Sequence, residues 1–247
     1  MLSPKPWRLD AVLQLLAGIF VCMIAGALFV SLLHHARIAG FRSEDGLGMI
    51  LVGTLSLHGA ALVLIHFFLR EHEINWRAAL GWGQTHFARF IGPMVLTIAF
   101  ILPVAGALQM FSYQLLTKLG HPPAEQEAVE LFSKAQSNLS IVYLIFFAVI
   151  LAPVAEEFIF RGILYPFIKQ LGYPKLSLLG VSLAFASIHG SLVIVLPLFV
   201  FALAQTWLYE KTDCLLAPMI THSVFNLTNL VVMFATGTLS QPNGVHS

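Results

Sequence analysis

The chain has 247 residues, 58% of them apolar and 10% charged, with a mean hydropathy of +0.84. A soluble domain carries about a quarter of its residues as Asp, Glu, Lys or Arg, so this composition cannot solvate a globule of this size and points to an integral membrane protein. Thirteen Lys and Arg against twelve Asp and Glu leave a net charge of +1, which gives no electrostatic footprint for nucleic acid; the expected partner is the lipid bilayer. At about 20 apolar residues per crossing, the apolar inventory is spent on spans, and residues 1–247 read as one integral membrane domain.

In chain order, seven apolar helices are expected, at about 11–33, 47–69, 90–116, 139–165, 175–190, 192–209 and 215–235. Backbone polar groups in hydrocarbon are satisfied only in helices or closed barrels, and these runs lack the alternation of barrel strands. The fold class is therefore all-α, a polytopic transmembrane helical bundle of about seven spans. The first run follows Lys5 and Arg8 and is followed by no small-residue cleavage pattern, so it reads as a span rather than a signal peptide. Trp76 and Trp82, beside Arg77, suit the headgroup zone between spans 2 and 3. Residues 124–136, with Glu125, Glu127 and Glu130, read as a short surface helix. Cys22 and Cys214 show no metal-type spacing and read as packing residues, as do His58 and His66 in span 2. No internal repeat is visible.

With a cytoplasmic N-terminus, the inner segments hold Lys5, Arg8, Arg70, Arg77, Arg89, Arg161, Lys169, Lys175 and Lys211, and the outer ones Arg37, Arg42, Lys118 and Lys134. The excess inside favours that orientation, in a cell (inner) membrane.

Ionisable residues where hydrocarbon is expected cost about 2.5 to 3.5 kcal/mol each on insertion scales, so they mark function. They cluster late in this chain. After Pro153 the sequence reads Val154-Ala155-Glu156-Glu157-Phe158-Ile159-Phe160-Arg161-Gly162. Positions four apart share a helix face, so Arg161 pairs with Glu157 and leaves Glu156 as the proton carrier. Span 5 ends in Phe185-Ala186-Ser187-Ile188-His189, and span 7 carries His222-Ser223-Val224-Phe225-Asn226, whose spacing puts imidazole and amide on one face. At 1.5 Å per residue, Glu156 and His222 both fall about 8 to 10 Å from the cytoplasmic edge of a core about 30 Å thick, so they can meet. Pro153 removes a helix hydrogen bond and is expected to leave a carbonyl free to hold water.

The ordered set Glu-Glu-x-x-x-Arg, Phe-x-x-x-His and His-x-x-x-Asn resembles the CPBP-type intramembrane proteases, the superfamily that includes type II CAAX prenyl endopeptidases and bacterial abortive-infection or bacteriocin-processing relatives. The resemblance covers a catalytic core at about 140–235. It implies that Glu156 activates a water with His189, that His222 and Asn226 stabilise the oxyanion at a scissile carbonyl, and that Glu157, Arg161 and Phe185 support the site. The implied substrate is a peptide or membrane protein.

No cofactor is certain. Glu156, His189 and His222 could make a three-ligand catalytic zinc site with an open position, but the zincin spacing His-Glu-x-x-His is absent, and a metal-free, glutamate-activated water is the favoured reading. Two other classes compete with the protease: a catalytically silent immunity or scaffold protein, and a proton-coupled transporter using Glu156 and the histidines as a relay.

Overall fold

The computed structural model of the chain describes residues 2–38, 41, 47–82, 88–121, 129, 131, 132, 135 and 137–236. These residues form helices and no strand. Helix α1 is Leu9–His35, α2 Gly48–Glu71, α3 the short Trp76–Leu80, α4 Ala88–Lys118, α5 Asn138–Gln170, α6 Pro174–Ser187, α7 Leu192–Thr212 and α8 Leu216–Ala235. All but α3 and α6 are long and apolar enough to cross a bilayer. The 14 residues of α6 rise only about 21 Å against a hydrocarbon core of about 30 Å. The seven expected runs are all present, six as spans and one as this shorter apolar helix. The surface helix expected at 124–136 lies for the most part outside the described residues, as do Arg42 and Lys134.

The helix ends follow local chemistry. The side chain of Asn75 caps α3 through Ala78 N–H at 2.9 Å, and Gly81 closes it in the left-handed region at φ 72°. Ser137 caps α5 by accepting from Ser140 N–H at 3.1 Å. Pro174 starts α6, where its missing N–H costs nothing. Large apolar side chains face outward along the spans, among them Leu28, Phe67, Leu96, Met110 and Val231. That surface is suited to lipid and would be a liability in water.

Inside, Phe185, Phe201, Tyr209 and Phe225 form the core of the late helices, which join α1 and α2 through Ile65 and Leu69. Helix α7 packs on α4 and α6, while α8 packs on α5, α7 and α4. Polar groups end up between helices because lipid offers them no partners.

Three wide, π-type turns interrupt the spans: Leu55–Gly59 in α2, and Phe147–Leu151 and Phe158–Leu164 in α5. Such turns shift the register of all following side chains and gather at functional sites. In the first α5 turn Ala152 N–H bonds Phe147 O, so the next donor due, for Ala148 O, is residue 153. That residue is proline and has no N–H. Ala148 O instead accepts from Asn226 Nδ2 at 2.8 Å, so the carbonyl expected to hold water is taken by a side chain of α8. Gly162, inside the second wide turn of α5, accepts through its carbonyl from Trp7 Nε1 at 2.9 Å. The N-terminal strap that carries Trp7 is tied down further, with Ser3 N–H and Oγ donating to Asp213 at 3.3 and 3.1 Å.

Candidate active site

The first α5 carboxylate of interest, Glu156, lies two residues before the second wide turn of that helix and is partly accessible, with 14% of its side chain exposed. Its neighbour Glu157 is fully buried. Adjacent residues on a helix point about 100° apart, and here that separation divides the two carboxylates between two environments. Glu157 faces the packed interior, and Glu156 faces His58 at 3.4 Å and His222 at 3.9 Å.

Glu157 is the hub of the buried side. Its Oε1 accepts from Arg161 Nη1 at 3.1 Å and from His222 Nδ1 at 2.8 Å, with Gln205 Nε2 at 3.5 Å. Arg161 is 1% exposed. Its Nη2 donates to Ala202 O at 3.2 Å, and its Cζ lies 4.5 Å above the centre of the Phe185 ring. Gln205 also donates to Pro218 O at 2.7 Å, which links α7 to the start of α8. The pairing of Glu157 with Arg161 that the spacing implied is thus present, and Phe185 supports it through its ring face.

The accessible side is built from three helices besides α5. His222 presents its Nε2 to Glu156 Oε2 at 3.9 Å while Nδ1 is held by Glu157. Phe185 and Phe201 wall the imidazole edge-on, at centroid separations of 5.8 and 5.0 Å. His189 turns Nδ1 back to Phe185 O at 2.8 Å, one helical turn earlier, and is half-buried. Asn226, also half-buried, is committed by one amide proton to Ala148 O. Glu156 and His222 are thus brought together from α5 and α8, while His189, at the end of α6, and Asn226, on α8, are each held by a backbone carbonyl.

One residue read as packing is not packing alone. His58, in the wide turn of α2, directs Nε2 at Glu156 Oε1 at 3.4 Å and meets Phe147 edge-on at 4.9 Å. A solitary histidine on an apolar run has no neighbour in sequence to give it away; the ionisable group at membrane depth was itself the signal. His66 fits the packing reading, since its Nδ1 accepts from Trp76 Nε1 at 3.0 Å. Gln205 was also missed, and its signal was an amide within the otherwise apolar α7.

Among the described residues no group of three His, Cys, Asp or Glu side chains converges closely enough to hold a metal ion. His189 and His222 have both committed Nδ1, and Glu156 Oε2 stands 3.9 Å from the remaining nitrogen of His222. Zinc bonds of about 2.0 to 2.2 Å set neighbouring tetrahedral ligands about 3.3 to 3.6 Å apart, and this pair is a little wider than that.

Compared with known families, residues 138–228 match the family model described as Rce1-like, type II CAAX prenyl endopeptidase. The matched segment runs from α5 into α8 and contains Glu156, Glu157, Arg161, Phe185, His189, Gln205, His222 and Asn226; His58 lies outside it. No curated protein and no solved structure matches the chain.

Proposed function

We infer that this protein is an intramembrane endopeptidase that hydrolyses a peptide bond of a membrane-associated substrate, with residues 1–247 as one membrane domain and the catalytic core at about 140–235. The observation that carries the reading is the division of labour between adjacent carboxylates. Glu157 is buried and neutralised by Arg161, while Glu156 is partly accessible and faced by imidazoles.

In this reading Glu156 removes a proton from a water molecule as the water oxygen attacks the scissile carbonyl carbon. The same proton then goes to the leaving nitrogen, so the products are a carboxylic acid and an amine. His189 orients the water: Nδ1–H is spent on Phe185 O, and the bare Nε2 accepts from the water. The oxyanion takes the second Nδ2 proton of Asn226 and the Nε2 proton of a protonated His222, whose Nδ1–H is backed by Glu157. Donors fixed in advance and screened from bulk water are worth several kcal/mol at such a centre. The excess of Lys and Arg on the N-terminal side supports a cell membrane location with the N-terminus cytoplasmic.

The test compares membranes holding the wild type, Glu156→Gln or His189→Ala for cleavage of an internally quenched, farnesylated CAAX peptide, and profiles membrane and released peptides in the same cells. Cleavage by the wild type that both variants lose is the expected result. Folded variants with full activity would refute the roles of these residues. Wild-type membranes that cleave nothing would favour a silent scaffold, and proton-coupled uptake in liposomes a relay.

A further inference from the structure

His58 belongs to α2, which lies outside the segment matched to the family. We propose that His58 is a positioning residue that donates Nε2–H to Oε1 of Glu156 and so holds the carboxylate with Oε2 turned toward His222 and the reacting water. The proposal rests on the hydrolytic reading of the site for its consequence, and on hydrogen-bond accounting for its geometry.

His189 Nδ1 faces a backbone carbonyl, which can only accept, so the proton sits on Nδ1 and a neutral His189 presents a bare Nε2. His222 Nδ1 faces the Glu157 carboxylate at 2.8 Å, and the same tautomer follows. A neutral ring of this tautomer cannot donate to Glu156, and a protonated His222 holds its Nε2–H 3.9 Å from Glu156 Oε2, beyond hydrogen-bond reach. His58 is the reverse case. Its Nδ1 is buried without a hydrogen-bond partner among the described residues, and its Nε2 points at Glu156 Oε1 at 3.4 Å. A proton on Nδ1 would be a buried orphan donor, costlier than an orphan lone pair. The neutral ring with its proton on Nε2 therefore satisfies this site best.

The surroundings fix the ring in that pose. Phe147 packs edge-on against it at 4.9 Å, and the wide turn Leu55–Gly59 swings His58 out of regular helical register. Phe147 itself opens the first wide turn of α5. Two register shifts on neighbouring helices thus meet at one contact. Among the described residues His58 makes the one hydrogen bond to the Glu156 carboxylate. At 3.4 Å the bond is long, as such bonds are before substrate closes the site.

A two-armed experiment on the purified full-length protein in detergent micelles tests this. In the first arm, protein labelled with 15N-histidine is examined by NMR, and the His58 signals are assigned as those missing from His58→Gln. The expected wild-type pattern is a protonated Nε2 and a bare Nδ1, giving way to a tautomer mixture in Glu156→Ala. A wild-type His58 protonated on Nδ1, or one indifferent to Glu156→Ala, overturns the proposal. In the second arm, cleavage of the quenched farnesylated CAAX peptide is measured for His58→Phe and His58→Gln. Phe keeps an apolar ring without the donor, and kcat is expected to fall about 10-fold, the worth of a hydrogen bond to a charged group, with KM within about twofold. The amide of Gln reaches the same place with an N–H, and is expected to restore most of the loss. Equal kcat for Phe and wild type, or no rescue by Gln in a folded protein, overturns the proposal. A wild type that fails to cleave the probe counts against the hydrolytic reading, and the first arm then decides the His58 pairing by itself.

Discussion

Arg161→Met is the sharpest test of how the buried side of the site is held. Met nearly matches the length of the side chain while removing the charge. In the native protein Arg161 is 1% exposed and Glu157 0%, with 3.1 Å between Nη1 and Oε1. Breaking one member of such a pair leaves an uncompensated buried charge and costs about 3 to 5 kcal/mol. The other contacts of Arg161 add little to that loss. Ala202 O also accepts from Thr206 Oγ1 at 2.9 Å, so it stays satisfied, and the contact over Phe185 is worth about 0.5 to 2 kcal/mol. For a chain of this size each kcal/mol shifts Tm by roughly 2 to 4 °C, so a fall of roughly 6 to 20 °C is expected in a thermal melt in detergent followed by circular dichroism. The companion variant Glu157→Gln strands the guanidinium and is expected to cost a similar amount. The double variant, Glu157→Gln with Arg161→Met, removes both charges while the Gln carbonyl still accepts from His222 Nδ1. It is expected to lose only about 1 to 2 kcal/mol, because an ion pair replaced as a unit is close to neutral. Glu157 Oε2 and Arg161 Nε are buried without a hydrogen bond, so the native pair is not fully compensated, which works in the same direction. Additive losses in the double variant, or a single Arg161→Met loss below about 1 kcal/mol, would refute this account of the pair.

Asn226→Leu strands Ala148 O and is expected to cost about 1 to 3 kcal/mol; in a Pro153→Ala background the new N–H can take that carbonyl, so the loss should shrink, as a four-variant set of melts would read. Gly26→Ala puts a Cβ 2.2 Å from the Ser56 side chain, which should wedge α1 from α2 at a cost of about 1 to 3 kcal/mol and lower the activity through displacement of His58, measured as Tm and kcat together. Cys214 is buried between α7 and α8, and burial pushes its thiol above the ordinary range. The thiolate fraction at pH 7.5 is therefore reduced, and a membrane-permeant maleimide is expected to leave Cys214 unmodified by mass spectrometry until the protein is denatured.

Much of the architecture was legible because lipid enforces a simple rule: a long apolar run must be a helix. All seven runs lie within a few residues of their expected places, and the pairing of Glu157 with Arg161 followed from four-residue spacing within one helix. Contacts between distant helices were harder to read. The meeting of Glu156 with His222 came from matching depths, an argument that works only for spans of known direction. His58 reaches Glu156 through wide turns on two helices, and no hydropathy pattern announces a change of register. Pro153 did signal a freed carbonyl, but its partner, Asn226, comes from a helix beginning more than sixty positions later.

The candidate residues do not all bear equally on the chemistry, because several also hold the bundle together. His222 satisfies Glu157, and Asn226 satisfies a carbonyl that no backbone donor can reach. Loss of activity on replacing either would therefore follow from a shifted helix as readily as from a lost oxyanion donor. Glu156 and His189 differ. Glu156 is partly accessible, and its one hydrogen bond among the described residues goes to His58; His189 bonds the carbonyl of its own last turn. Glu156→Gln preserves shape and keeps an oxygen for His58 Nε2–H, so it should melt with the wild type while unable to take a proton from water. A Glu156→Gln protein that is silent yet equally stable places the defect in proton transfer, whereas one that melts early would assign Glu156 to the scaffold along with Glu157.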